Sequence, residues 1–130
     1  MFDIVTVGHF SIDLITLPRK DTPKPTLGGP PTYTSLAARE LGADVSVISK
    51  VGEDFPQKYI RWLKRRGLDL SFLKRVEGAT TTSFALNYED GGRRLTLRSK
   101  APSIEVEDIP DSLRARVVHV APIANEVSYG

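Results

Sequence analysis

The amino-acid sequence predicts an α/β fold, a parallel sheet flanked by helices and carrying a small β appendage. Three observations point to it. Short apolar runs at residues 4–7, 45–48 and 117–120 read as buried parallel strands. The stretches that follow the first and second runs repeat their apolar residues at helical spacing. Residues 80–99 then switch to a period of two, the pattern of a hairpin. With 130 residues the chain can bury one sizeable core, so residues 1–130 read as one domain or part of one.

The elements follow in order. Residues 4–7 form a strand that ends at Gly8. Between Ser11 and Leu17 polar and apolar residues partly alternate, interrupted by Asp13. Residues 18–31 hold Pro18, Pro23, Pro25, Pro30 and Pro31 with Gly28 and Gly29. Proline removes backbone donors and glycine permits unusual dihedrals, so this stretch is expected to be a loop. Tyr33, Leu36, Ala37 and Leu41 then mark a helix that Gly42 stops. Val45, Val47 and Ile48 make the second strand, which runs out through Lys50-Val51-Gly52. Pro56 opens a second helix whose stripe is Tyr59, Ile60 and Leu63, with Asp54 placed to cap it and Gly67 to end it.

Thr82, Phe84, Leu86 and Tyr88 share one face of the next strand. Glu89-Asp90-Gly91-Gly92 is a turn sequence, and Leu95 and Leu97 then alternate with Arg94, Thr96 and Arg98. Residues 108–116 read as a short helix, 117–120 as a buried strand and Pro122 as the opening of a loop. Asn125-Glu126-Val127 reads as the start of another helix. A parallel sheet whose last helix has barely begun leaves an open edge, so the chain is expected to be the front of a longer fold.

Composition narrows the chemistry. Zero Cys removes disulfides, Cys nucleophiles and zinc–thiolate sites. No apolar run approaches the roughly 20 residues of a membrane span, and no basic segment precedes the first apolar run as in a secretory signal. A cytoplasmic location is the default expectation. A formal charge of +2 is too small to imply nucleic acid as a partner. Gln57, Asn87 and Asn125 are the only side-chain amides and Met1 the only Met, which fits a heat-adapted source.

Several residues could carry chemistry. Gly28-Gly29-Pro30-Pro31-Thr32-Tyr33 stands before a helix, where a ligand can approach backbone and unsatisfied N–H groups. No Gly-Lys-Ser or Gly-Lys-Thr follows, and the G-x-G-x-x-G fingerprint is absent, so this is no P-loop or dinucleotide turn. Tyr33 could stack on a ligand or donate to it, or pack in the core. Asp13 could accept hydrogen bonds from two hydroxyls. Lys50 ends a buried strand at the carboxyl end, where α/β ligand crevices form. Arg94 and Arg98 share a strand face and could close over an anion, although a solvated face explains them as well. His9 and His119 lack partners at metal-ligand spacing and read as structural. The basic face of Lys58, Arg61, Lys64, Arg65 and Arg66 reads as solvated, with Trp62 half exposed beside it.

The spacing after the double glycine is more specific. Ser35 lies six residues after Gly29, Gly42 seven further on and Gly52 ten beyond that, in GGPPTYTSLAARELGADVSVISKVGEDF. This resembles the first signature of the PfkB, or ribokinase-like, carbohydrate kinase family. DIVTVGHFSIDLI, KVGEDFPQKYIRWLKRRGLDLSFL, TTTSFALNYEDGGRRLTLRSKAPSI and HVAPIANE resemble the family's first strand, its G-x-D helix, its lid hairpin and the strand and Glu that follow. The resemblance covers essentially all of this chain but only the front half of the family's length.

It implies a ribokinase-like sheet with lid strands near 11–17 and 80–99. It also implies an ATP-dependent kinase that uses Mg²⁺ to phosphorylate a hydroxyl of a sugar, polyol or nucleoside. Asp13, Gly28, Gly29, Tyr33, Lys50 and Glu126 are the implied substrate-binding residues, with Arg94 and Arg98 on the lid. Relatives often dimerise through that lid, so a lid-mediated homodimer is implied too. The family usually has Asn where Tyr33 stands, and a Tyr there resembles the inositol- and nucleoside-kinase-like branches. The family's Asp-Thr-x-Gly-Ala-Gly-Asp motif, which supplies the anion hole and the general base, does not occur in these residues. The 130 residues alone are therefore expected to be inactive. A non-catalytic half-domain that binds a small molecule or pairs with a partner is the alternative.

Overall fold

The computed structural model describes residues 1–18, 22–89 and 91–127. Asp90 of the expected turn, residues 19–21 of the expected loop and Gly130 lie outside them. The order is β1 (Phe2–Val7), β2 (Ser11–Thr16), β3 (Lys24–Gly28), α1 (Pro30–Glu40), β4 (Val45–Gly52), α2 (Gln57–Arg65), β5 (Leu73–Val76), β6 (Ser83–Glu89), β7 (Gly92–Ser99), a 3₁₀ turn (Val106–Asp108) and β8 (Ala115–Val120).

Two four-stranded sheets result. The first is wholly parallel in the order β5-β4-β1-β8. Its main core joins Val45, Val47 and Val51 of β4 to Phe10, Phe55 and Leu63, with Leu36 of α1 and Tyr59 and Ile60 of α2 packed on it. The opposite face carries a smaller cluster of Val5, Val7, Ile48 and Ile104. The second sheet has the order β3-β2-β6-β7: β2 and β6 are parallel, and the outer pairs are antiparallel. It stands off the first sheet as the small appendage.

The structure departs from the sequence expectations at definite places. Within the expected 18–31 loop, Lys24–Gly28 forms β3. Proline is tolerated because β3 is an edge strand paired only with β2, so the missing N–H of Pro25 interrupts no central ladder. The short strand β5 carries Lys74 and Arg75 exposed, which hid it from an apolar pattern. Helix α1 is present, but it buries Pro31, Thr32 and Ser35 and leaves Tyr33, Ala37 and Leu41 exposed. Small side chains let the helix approach the sheet closely, and the Ser35 and Thr6 hydroxyls hydrogen-bond at 2.8 Å.

Residues 108–116 do not form the expected helix, only the single 3₁₀ turn Val106–Asp108 followed by strand from Ala115. The Asp108 carboxylate accepts the Glu105 N–H at 2.8 Å, closing a capping box on that turn, and Pro110 cannot extend it. Strand β8 forms at the edge of the first sheet, but Val117 is 54% exposed, so it is not the buried strand expected. Asn125 does not start a helix: its φ is +56°, and Val127 bridges to Ile104 in parallel. Asp54 does not cap α2. Its carboxylate instead accepts the Thr81 N–H at 2.8 Å and hydroxyl at 2.7 Å.

Candidate functional site

A cavity of about 330 Å³ lies between one face of the second sheet and the start of α1. Strand alternation builds its wall. The parallel register pairs Asp13 with Phe84 and Ile15 with Leu86. The antiparallel register adds Leu95 opposite Leu86 and Arg93 opposite Tyr88. These side chains therefore share one face. Gly29, Pro30 and Tyr33 line the facing wall, and Ile123, from the loop after β8, closes one side. Tyr33 is 62% exposed on α1 and stands at the cavity instead of packing in the core.

Asp13 is the one carboxylate in this lining. Its Oδ1 accepts the Ser11 hydroxyl at 2.8 Å. Burial pushes its carboxyl above the ordinary value, and the Ser11 hydrogen bond only partly offsets that. No cation partners it among the described residues. A carboxylate held this way gains most from hydroxyl donors brought by a ligand. The double glycine supports it at two points. A Cβ on Gly28 would collide with Asp13 Oδ2, so the carboxylate needs Gly there. Gly29 has φ +92° and lies so close to the His9 carbonyl that a side chain has no room. The expected N–H cradle is poorer than the sequence suggests. Pro30 and Pro31 carry no N–H, and the Thr32 N–H is already used by the Gly29 carbonyl at 3.0 Å.

The other expected residues are placed differently. Lys50, 15% exposed, pairs with Asp108 at 2.8 Å and donates to the Ser103 carbonyl at 2.9 Å. Lys74 meets the same carboxylate at 2.6 Å. Burial raises the Asp108 pKa, but hydrogen bonds from Lys50, Lys74 and the Glu105 amide outweigh it and bring it down to about 2. Glu126 is fully buried and accepts three backbone amides: His9 at 2.9 Å, Ile123 at 2.8 Å and Ala124 at 2.9 Å. Those bonds overcome its burial and lower its pKa. Neither Lys50 nor Glu126 lines the cavity. Arg94 pairs across the hairpin with Asn87, and Arg98 donates to Ser83 at 3.3 Å. Arg98 belongs to a polar cleft with Asp54, Thr81 and Ser99, away from the cavity.

Arg93, Tyr88, Phe84 and Ile15 line the cavity and are not among the candidate residues that the sequence suggests. The period-two face containing Phe84, Leu86 and Tyr88 was legible, and the hairpin register would have added Arg93 and Leu95 to it. His9 is fully buried and satisfied, and burial lowers its pKa against the opposing pull of the Pro102 carbonyl and Glu126. Among the described residues no group of three or more His, Asp or Glu could hold a metal ion. With Pro30 and Pro31 at its head, α1 lacks the free N–H groups that would cradle a phosphate there. No helix among them is long and apolar enough to cross a membrane.

Comparison with known proteins agrees with this architecture. The chain is 30% identical over 131 residues to a cytidine kinase of Thermococcus kodakarensis, covering 97% of this chain and 45% of that protein. It spans less than half the length of the curated relatives it matches. A pyrophosphate-dependent kinase in the ribokinase family superposes with a TM-score of 0.80 at 23% identity, over 96% of this chain and 43% of that one. The nucleoside kinase of Methanocaldococcus jannaschii superposes with a TM-score of 0.77 at 23% identity, over 92% and 44%. At those identities the superpositions establish the fold alone. Residues 1–121 match the pfkB family carbohydrate kinases, and the chain belongs to that family.

Proposed function

We propose that this chain supplies the acceptor site and lid of a kinase that phosphorylates a hydroxyl of a nucleoside. The carrying observation is the cavity itself: one half-buried carboxylate, Asp13, in a lining otherwise rich in aromatic and aliphatic side chains. Asp13 accepts hydrogen bonds from sugar hydroxyls, while Tyr33, Phe84 and Tyr88 offer apolar faces to a planar base. A wholly polar sugar or polyol would leave most of that lining unused. The likeness to a cytidine kinase supports the same choice.

The phosphoryl donor, ATP with Mg²⁺ by resemblance, and the general base belong to the part of the kinase beyond the described residues. By this reading the 130 residues alone bind acceptor without turning it over, and ATP-dependent phosphorylation by them alone would overturn that division. Strand β7 leaves one lid edge open, the place for lid-to-lid pairing in a homodimer.

The test is calorimetric titration of cytidine, fructose and myo-inositol into the protein that carries this chain. Cytidine should bind tightest. Asp13→Asn should weaken it by about 10- to 150-fold, the loss of one charge-assisted hydrogen bond of about 1.5–3 kcal/mol. Tighter binding of fructose or myo-inositol would sink the nucleoside reading. Binding indifferent to Asp13 would remove it from the site.

A further inference from the structure

We propose that His9 is a positioning residue that fixes the lid over the cavity, its ring acting through Thr82 and Pro102 without touching substrate. His9 sits where the chain passes from β1 to β2, that is, from the core sheet into the lid sheet. Two further passages lie within reach of its buried ring: the entry to β6 at Thr82 and the exit from β7 at Ala101 and Pro102.

Hydrogen-bond chemistry determines the arrangement. His9 Nε2 is 2.8 Å from the Pro102 carbonyl oxygen, which can only accept, so Nε2 carries the proton. In the neutral ring that burial favours, Nδ1 is then an acceptor, and it takes the Thr82 hydroxyl at 2.7 Å. The same hydroxyl oxygen accepts the Ala101 N–H at 2.9 Å. Every donor in this relay therefore has an acceptor: Ala101 to Thr82, Thr82 to His9, His9 to Pro102. The His9 backbone N–H donates to Glu126, whose other oxygen accepts the amides of Ile123 and Ala124. Ile123 is a cavity wall. One residue thus connects both ends of the lid hairpin to the loop that closes the cavity's side. Removing the relay unties the hairpin that carries Phe84, Leu86 and Tyr88 into the cavity from the passage to which the Ile123 wall is held.

The catalytic arm of the test rests on the acceptor-site reading above; the exchange arm does not. Thr82→Val deletes the hydroxyl at nearly constant volume, and Thr82→Ser restores it. His9→Phe deletes the ring polarity, and His9→Gln offers a donor and an acceptor at similar separation. In the protein carrying this chain, Thr82→Val and His9→Phe should raise the KM for cytidine about tenfold, with kcat and the KM for ATP within about twofold. Thr82→Ser and His9→Gln should stay within about threefold of wild type.

Amide hydrogen exchange in the same variants, without ligand, should speed up by about tenfold in Ser83–Glu89 and leave Val45–Gly52 unchanged. A purely structural role predicts faster exchange in both segments together, with no difference between the KM values. That result, or Thr82→Val behaving as Thr82→Ser, would overturn the proposal. If cytidine is not phosphorylated at all, the acceptor-site reading fails and the exchange arm alone decides the role of His9.

Discussion

Acid should weaken this fold through one carboxylate in particular. Asp108 holds Lys50 from β4 and Lys74 from β5, strands that are paired at just those residues. Its side chain is 8% exposed and its pKa falls from the ordinary 3.8 to about 2. At about 1.4 kcal/mol per pH unit, that difference corresponds to about 2 kcal/mol of stability. A depressed carboxylate pKa contributes fully above the unfolded value, so the contribution is complete above pH of about 4 and declines as pH falls toward 2. The assay is urea unfolding of wild type and Asp108→Asn across that range. Asp69 and Glu126, also lowered, and Asp13, raised, titrate in both proteins and cancel in the difference. The stability gap should be widest near pH 6 and narrow steadily below pH 4. Lys74 is 55% exposed and therefore screened, whereas Lys50 is 15% exposed, so Lys50→Met should narrow the gap more than Lys74→Met. A gap that stays constant with pH would refute the ionic basis assigned to Asp108.

Two further outcomes are expected. Leu63→Ala leaves a hole among Phe10, Val47, Phe55 and Leu68 and should cost about 3 kcal/mol in a urea titration, with acceptor affinity kept. Gly28→Ala drives a methyl group into Asp13 Oδ2 and should weaken acceptor binding by about tenfold, measured calorimetrically, while the melting temperature moves little. Equal losses of affinity in both variants would show that the cavity simply tracks global stability.

The legible parts of the fold were those in which local pattern and tertiary role coincide. The runs around Val5, Val47 and Val118 became parallel strands, and Tyr59, Ile60 and Leu63 did face the core from α2. Misreadings arose where tertiary context overrode local chemistry. The prolines of residues 18–31 suggested a loop, yet an edge strand needs no N–H on its outer side. Tyr33 and Leu41 suggested a buried stripe, yet close approach of helix to sheet selected Thr32 and Ser35 instead. At the cavity, Asp13 and the two glycines stood out by residue type and by the family resemblance, whereas the strand pair that brings them together was hidden in the expected loop. Arg93 was not, because its face depends on the hairpin register, and Glu126 gave no sign that three backbone amides would consume its oxygens.

The parallel pairing of β2 with β6 has a consequence for the order of folding. Ser83 meets Ile12 across 71 residues of chain, and α1, β4, α2 and β5 all lie between them. Closing so long a loop costs entropy that only a preassembled first sheet can offset, by holding Phe10 and Gly52 in place. The flanking hairpins β2–β3 and β6–β7 can form early as local units, but their docking must wait. The second sheet should therefore complete itself last and come apart first, so that the part of the molecule covering the cavity is also its least cooperative.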